Sequence, residues 1–202
     1  MNPIHFVTFF LTVLILIFFA SFELSKPKAR DLILVAELSA ICVCTRAIFS
    51  FVPYFNPVVG LIMLFSVPLG VRKGFLIGAL TALVSNFIFG QGLWTIFQMA
   101  SWGIAGAVFG LLGNCGILHR DMWKFKDYFV SSVLAAILIV AVTGPITDLS
   151  GFVMMGGGDF AVLKVILLGG LIFNATLAAS TVVTIILCSK IVLFALDRVS
   201  KK

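Results

Sequence analysis

Seven apolar runs occupy most of this chain, at approximately residues 4–22, 32–52, 57–70, 74–90, 95–117, 128–148 and 162–196, and nearly all of its charges fall in the gaps between them. A helix crosses the hydrocarbon of a bilayer with ~20 apolar residues. Backbone in that medium finds no water, so each segment must close its own hydrogen bonds, as a helix does. The composition agrees: 61% of the residues are apolar and 11% charged, against ~25% charged in an ordinary soluble domain. So few charges could not cover the surface of a soluble globule. A soluble enzyme, a disordered chain and a nucleic-acid module are excluded, and 202 residues leave no room for a second soluble or nucleotide-binding domain. The expected fold is an all-α integral membrane protein.

A net charge of +6 would suggest nucleic acid in a soluble protein. Here the positions of the charges decide otherwise. Lys26, Lys28 and Arg30, then Arg72 and Lys73, then Arg120, Lys124 and Lys126, then Lys190, Arg198, Lys201 and Lys202 fall on one side of alternating spans. The other side receives the N-terminus, the 52–57 turn, the 90–94 turn and the 149–161 loop, which contain no Lys or Arg. Basic residues mark the cytoplasmic side. The alternation therefore requires seven helices, with the N-terminus outside and the C-terminus in the cytoplasm. Segment 57–70 is short and bounded by Pro57 and Pro68, and is expected to be a tilted or irregular span supported by its neighbours. Omitting it would put Arg72 and Lys73 outside. The first run lacks a basic n-region and is followed by basic residues instead, so it reads as a retained helix rather than a signal peptide. The last run exceeds one membrane thickness, and its helix is expected to start near Lys164. Cys42, Cys44, Cys115 and Cys188 fall in or beside apolar runs without metal-type spacing and read as small buried hydrophobes. The Gly156-Gly157-Gly158 run lacks the Lys-Ser/Thr of a phosphate loop and reads as a flexible turn.

The informative residues are the polar ones inside the spans. Ala36 and Ala40 stack on one helix face and permit close approach of another helix, whether inside the bundle or from outside. Glu37 and Arg46 are nine residues apart, on opposite faces at 100° per residue, and cannot pair within one helix. Arg46, near the outer end, either faces protein or a wet cavity, or snorkels to the surface. Gly74, Gly78, Ala82 and Asn86 follow at i+4 steps and form a groove for a neighbouring helix, ending in an amide. Trp94, Gln98 and Trp102 repeat the same step; they make either an interfacial aromatic belt or the wall of a large ligand's site. Asp148 follows Gly144-Pro145, and Asn174 lies between Gly170 and Ala178; either could satisfy freed backbone near a proline. Arg46, Asn86, Gln98, Asp148 and Asn174 all map to the outer half of the bundle, which suggests a pocket open to the outside.

The stretch from Arg46 to Gly113, with VPYFNPV, GFLIGALTALVSNFIFGQGLWT and FQMASWGIAGAVFGLLG, resembles the substrate-specific S components of energy-coupling factor (ECF) vitamin transporters, in particular the cobalamin-type S component. The resemblance covers roughly residues 31–196. It implies a six-helix S-component domain over 25–202, with 1–24 as an additional transmembrane helix, in a bacterial plasma membrane. It further implies capture of a vitamin at the outer face without catalysis, and assembly with a membrane-embedded T component and two cytoplasmic ATPase subunits. The family's Ala-x-x-x-Ala face, matched here by Ala36 and Ala40, would dock on the T component. Leu93 stands where the family pattern expects proline. Family sites are built from outer loops and helix ends, which correspond here to 51–57, 90–98 and 149–161. If the ligand is cobalamin, Tyr54, Phe55, Trp94 and Trp102 would cover the flat corrin, and Asn56, Asn86, Gln91 and Gln98 would bind its amides. No intrinsic cofactor or metal is expected. Neither His5 nor His119 is placed by this topology to ligate the cobalt, His5 being on the added helix and His119 in a cytoplasmic loop. The runner-up ligands are queuosine precursor or another small vitamin. The rival classes are an intramembrane enzyme, for which no paired acid/base or nucleophile signature is present, and a channel or scaffold.

Overall fold

The computed structural model describes residues 3–52 and 55–200, with side chains from residue 6 to 198. Helices α1 (Pro3–Leu24), α2 (Ala29–Phe49), α3 (Val58–Leu69), α4 (Val71–Phe89), α5 (Trp94–Asn114), α6 (Phe125–Leu138), α7 (Gly144–Met154) and α8 (Phe160–Ser200) follow in order, and the described residues contain no strand. A five-residue π segment, Ile139–Thr143, joins α6 to α7 without a break. Six spans are long and apolar enough to cross a membrane, α6 and α7 counting as one, and α3 is a seventh, shorter apolar helix. The chain is thus a multi-pass α-helical membrane protein.

The short span resolves into a regular helix rather than an irregular one. Every residue from Val58 to Val67 is buried. At 1.5 Å per residue its 12 residues reach only ~18 Å. That is too short to cross ~30 Å of hydrocarbon, and α3 has no need to, because α2, α4, α5 and α8 surround it. Protein around its ends lets the backbone leave the helix at membrane depth. Gly70 joins α3 to α4 with φ +84°, a value that favours glycine.

The small-residue groove of α4 receives α5, the most extensive helix contact in the molecule. A Cβ on Gly78 would stand 2.2 Å from the Trp102 carbonyl oxygen, and one on Gly106 would stand 2.1 Å from the Gly74 carbonyl oxygen. Only hydrogen at these positions lets the two backbones approach so closely, and in lipid such packing contacts drive helix association. Phe18 of α1 stacks on Phe75 of α4 with ring centroids 3.9 Å apart. Leu11 and Ile15 of α1 join the same apolar cluster with Phe97 and Ala100, so the first helix is integrated into the bundle.

Three boundaries differ from the sequence reading. Helix continues six residues beyond 148, because Pro145 sits at the start of α7, where a missing N–H costs least, and the π turn absorbs the ring. The expected 149–161 loop shrinks to residues 155–159, with Gly156-Gly157-Gly158 in it. α8 starts at Phe160 instead of near Lys164, since Asp159 Oδ1 accepts the Val162 N–H at 3.0 Å and caps the helix. The cysteines also divide: Cys42 is buried, whereas Cys44 and Cys115 are exposed. Cys44 lies two residues beyond Cys42 and so turns to the opposite face of α2.

Candidate binding site

At the end of the bundle remote from the main basic cluster, α2 delivers Arg46, α4 delivers Ser85, Asn86 and Phe89, and α5 delivers Gln98 and Trp102. The Arg46 guanidinium donates to Ser85 Oγ and to Asn86 Oδ1, the latter at 2.8 Å. It lies 4.7 Å from the Phe89 ring centroid and 5.1 Å from that of Trp102, within the range of cation–π attraction. It makes no ion pair among the described residues. Arg46 therefore turns inward rather than to the surface, a half-buried cation held by neutral groups.

Asn86 explains how that cation is held. It is 1% exposed. Its carbonyl accepts from Arg46, while its amide nitrogen donates to Gln98 Oε1 at 2.8 Å and to Thr95 Oγ1 at 3.0 Å. One side chain thus joins α2, α4 and α5. Because the Gln98 oxygen is used by Asn86, its Nε2 donor is left for the cavity.

The opposite wall carries a carboxylate. Asn174 Nδ2 of α8 donates to Asp148 Oδ2 of α7 at 2.8 Å. Glycines make room for this pair: a Cβ on Gly144 would stand 2.4 Å from Asn174, and one on Gly170 would stand 2.2 Å from Asp148. Each glycine lies four residues before its own helix's polar partner, so the pair is written twice at i,i+4 spacing. Asn56 enters from the turn before α3. Its backbone N–H donates to Ser180 Oγ at 2.8 Å, and its Oδ1 accepts the Val58 N–H at 3.1 Å.

Two adjoining cavities open among these groups. One, of about 250 Å³, is walled by Arg46, Phe49, Phe55, Asn56, Phe89 and Phe173 among others. The second, of about 170 Å³, runs from Arg46, Gln98 and Trp102 to Thr147 and Asp148. Arg46, Asn56, Phe173 and Leu177 border both.

Of the residues expected from sequence, Arg46, Phe55, Asn56, Gln98, Trp102 and Asp148 line the cavities, and Asn86 and Asn174 stand behind them as supports. Two take other places. Gln91 is exposed and is used in closing its own turn, donating to the Leu83 carbonyl and accepting from Thr95. The Trp94 ring covers Gly92 and borders neither cavity. Tyr54 lies outside the described residues. Sequence reasoning missed Ser85, Phe89, Phe173, Thr143 and Thr147. Ser85 and Phe89 fall at i−1 and i+3 from Asn86, a signal that was available; Phe173 is one aromatic among 21 phenylalanines and carried none. No protein-family model, curated protein or solved structure matches this chain.

Proposed function

We propose that this protein is the substrate-binding S component of an ECF-type vitamin importer, which captures its ligand at the outer face and delivers it with partner subunits. The observation that carries the reading is the convergence of Arg46, Asn56, Gln98, Trp102 and Asp148, from four separate segments, on cavities at the end remote from the basic side. By the positive-inside rule that end faces out. The cavity walls combine one guanidinium, one carboxylate, amides, hydroxyls and aromatic rings. Such a set holds a ligand by hydrogen bonds and flat contacts, which favours binding over catalysis. Ala36 and Ala40 are exposed rather than packed inside the bundle, which supports their use by an outside helix, the T component.

The motif resemblance makes cobalamin the leading ligand. A corrin ring with its amide arms exceeds the two cavities, so its entry requires their walls to part. The cavity size and the facing Arg46 and Asp148 favour a second reading, a smaller vitamin with an acceptor at one end and a donor at the other. Calorimetric titration of the purified protein with cyanocobalamin and with a panel of small vitamins separates the two. Cobalamin binding with no change in its visible spectrum supports the first reading, and tight binding of a small vitamin alone supports the second. A shifted corrin spectrum would reveal a new axial ligand from the protein and contradict the assigned walls. Absence of binding by every vitamin in the panel would overturn the S-component reading.

A further inference from the structure

The basic end of the bundle carries a second built feature. There α1 ends at Leu24, α2 begins at Ala29, α3 ends at Leu69 and α4 begins at Val71. These four helix ends enclose two adjoining crevices of about 610 and 350 Å³, which share Lys28, Asp31, Leu69 and Lys73. Lys26 and Arg72 line the larger and Arg30 the smaller. Five cations thus face one carboxylate, and that carboxylate, Asp31, already accepts from Lys73 Nζ at 2.5 Å. A topology signal requires only that basic residues lie on one side of the membrane. It does not require them to line one concavity, and this arrangement is therefore additional.

The crevice is also amphiphilic. Phe22, Leu34, Leu69 and Leu196 form apolar wall, and Leu24, Leu32 and Ile33 beside it are 81%, 50% and 56% exposed. We propose that this crevice binds the phosphate headgroup of an anionic phospholipid, with the acyl chains lying on the exposed leucines and isoleucine. Basic pockets between transmembrane helices on the cytoplasmic side take headgroups in this way, and each nearby cation contributes about fivefold in affinity. A soluble phosphate would use the same cations but would leave the apolar rim uncovered.

The test uses the full chain in detergent, titrated with dioleoylphosphatidylglycerol and read by native mass spectrometry. Dioleoylphosphatidylcholine serves as the neutral comparator and inorganic phosphate as the soluble competitor. Phosphatidylglycerol adducts should persist in preference to phosphatidylcholine. They should fall by on the order of a hundredfold in the Lys26→Gln/Lys28→Gln/Arg72→Gln chain and survive in the charge-keeping Lys26→Arg/Arg72→Lys chain. All three positions are exposed; should the triple variant still fail to fold, Lys26→Gln and Arg72→Gln alone should each weaken retention about fivefold. Equal retention of the two lipids, or unchanged retention in the neutralised variants, would overturn the proposal. Displacement by millimolar inorganic phosphate would assign the crevice to a soluble phosphate and overturn the lipid reading.

Discussion

Replacing Asn86 with alanine tests the candidate site through a residue that lines neither cavity. The buried amide accepts one bond from Arg46 and donates to Gln98 and Thr95. Arg46 keeps Ser85 as an acceptor, and Thr95 keeps Gln91, so the groups most affected are the guanidinium, which loses one of two anchors, and Gln98 Oε1, which loses its donor. A hydrogen bond to a charged group is worth about 1.5–3 kcal/mol, and 1.4 kcal/mol is about tenfold in affinity. Asn86→Ala should therefore weaken ligand binding by roughly 10- to 100-fold. Asn86→Asp puts a carboxylate 2.8 Å from the guanidinium in place of the amide oxygen. It should weaken binding of any ligand that places an acceptor on that cation, and it should not raise thermal stability, because the carboxylate cannot replace the amide's donation to Gln98 and Thr95. Titration calorimetry with whichever vitamin the panel titration shows to bind, with a melting curve for each variant, gives both quantities. Binding within twofold of the parent in Asn86→Ala, with the fold intact, would refute the role given to the Arg46–Asn86–Gln98 chain.

Other expectations follow from the packing. Gly78→Ala drives a methyl to 2.2 Å from the Trp102 carbonyl oxygen; it should cost about 1–3 kcal/mol or more, read as a lowered melting temperature, while Ala82→Gly, which adds no atom, should not separate the helices. Ala36→Trp or Ala40→Trp should leave the melting temperature and ligand affinity of the isolated protein unchanged, since both positions are exposed, and, on the proposed S-component reading, should block co-purification with a T component; normal assembly would refute the proposed docking face. Removal of residues 1–24 should preserve ligand affinity, because α1 borders neither cavity, yet lower thermal stability by uncovering Phe75 from Phe18; loss of binding in a folded truncation would refute the separation of α1 from the site.

What could be read from the sequence was set by the medium. In lipid the apolar runs must become helices, so their number and order followed from hydropathy and charge alone. The i+4 ladder from Gly74 to Asn86 likewise identified a helix-packing face, and its partner proved to be α5. Other features depend on contacts between distant segments, which one chain's periodicity does not encode. Segment 57–70 could be read as a short span leaning on its neighbours, but not as a regular helix buried all round from Val58 to Val67. Gly144-Pro145 looks like a break until the π turn absorbs it. Gln91 and Trp94 fit the spacing of a site but are used locally in closing a turn, whereas Ser85 and Phe89, overlooked beside Asn86, point to Arg46.

The position of the site follows from the same packing. The α4–α5 pair is held at backbone contact by Gly74, Gly78 and Gly106. At the far end of that seam the glycines give way to Ala82, Ser85 and Asn86 on α4 and to Trp102 and Gln98 on α5. The polar side chains there are tied to one another by hydrogen bonds across the two helices, since an unpaired polar atom in this medium is costly. Arg46 supplies the charge that Ser85 and Asn86 satisfy, and Asp148 with Asn174 does the same between α7 and α8. The cavities open where these two polar clusters face one another. Asn86, though buried behind the wall, ties together the helices that carry Arg46 and Gln98, which is why its change should be felt in both binding and stability.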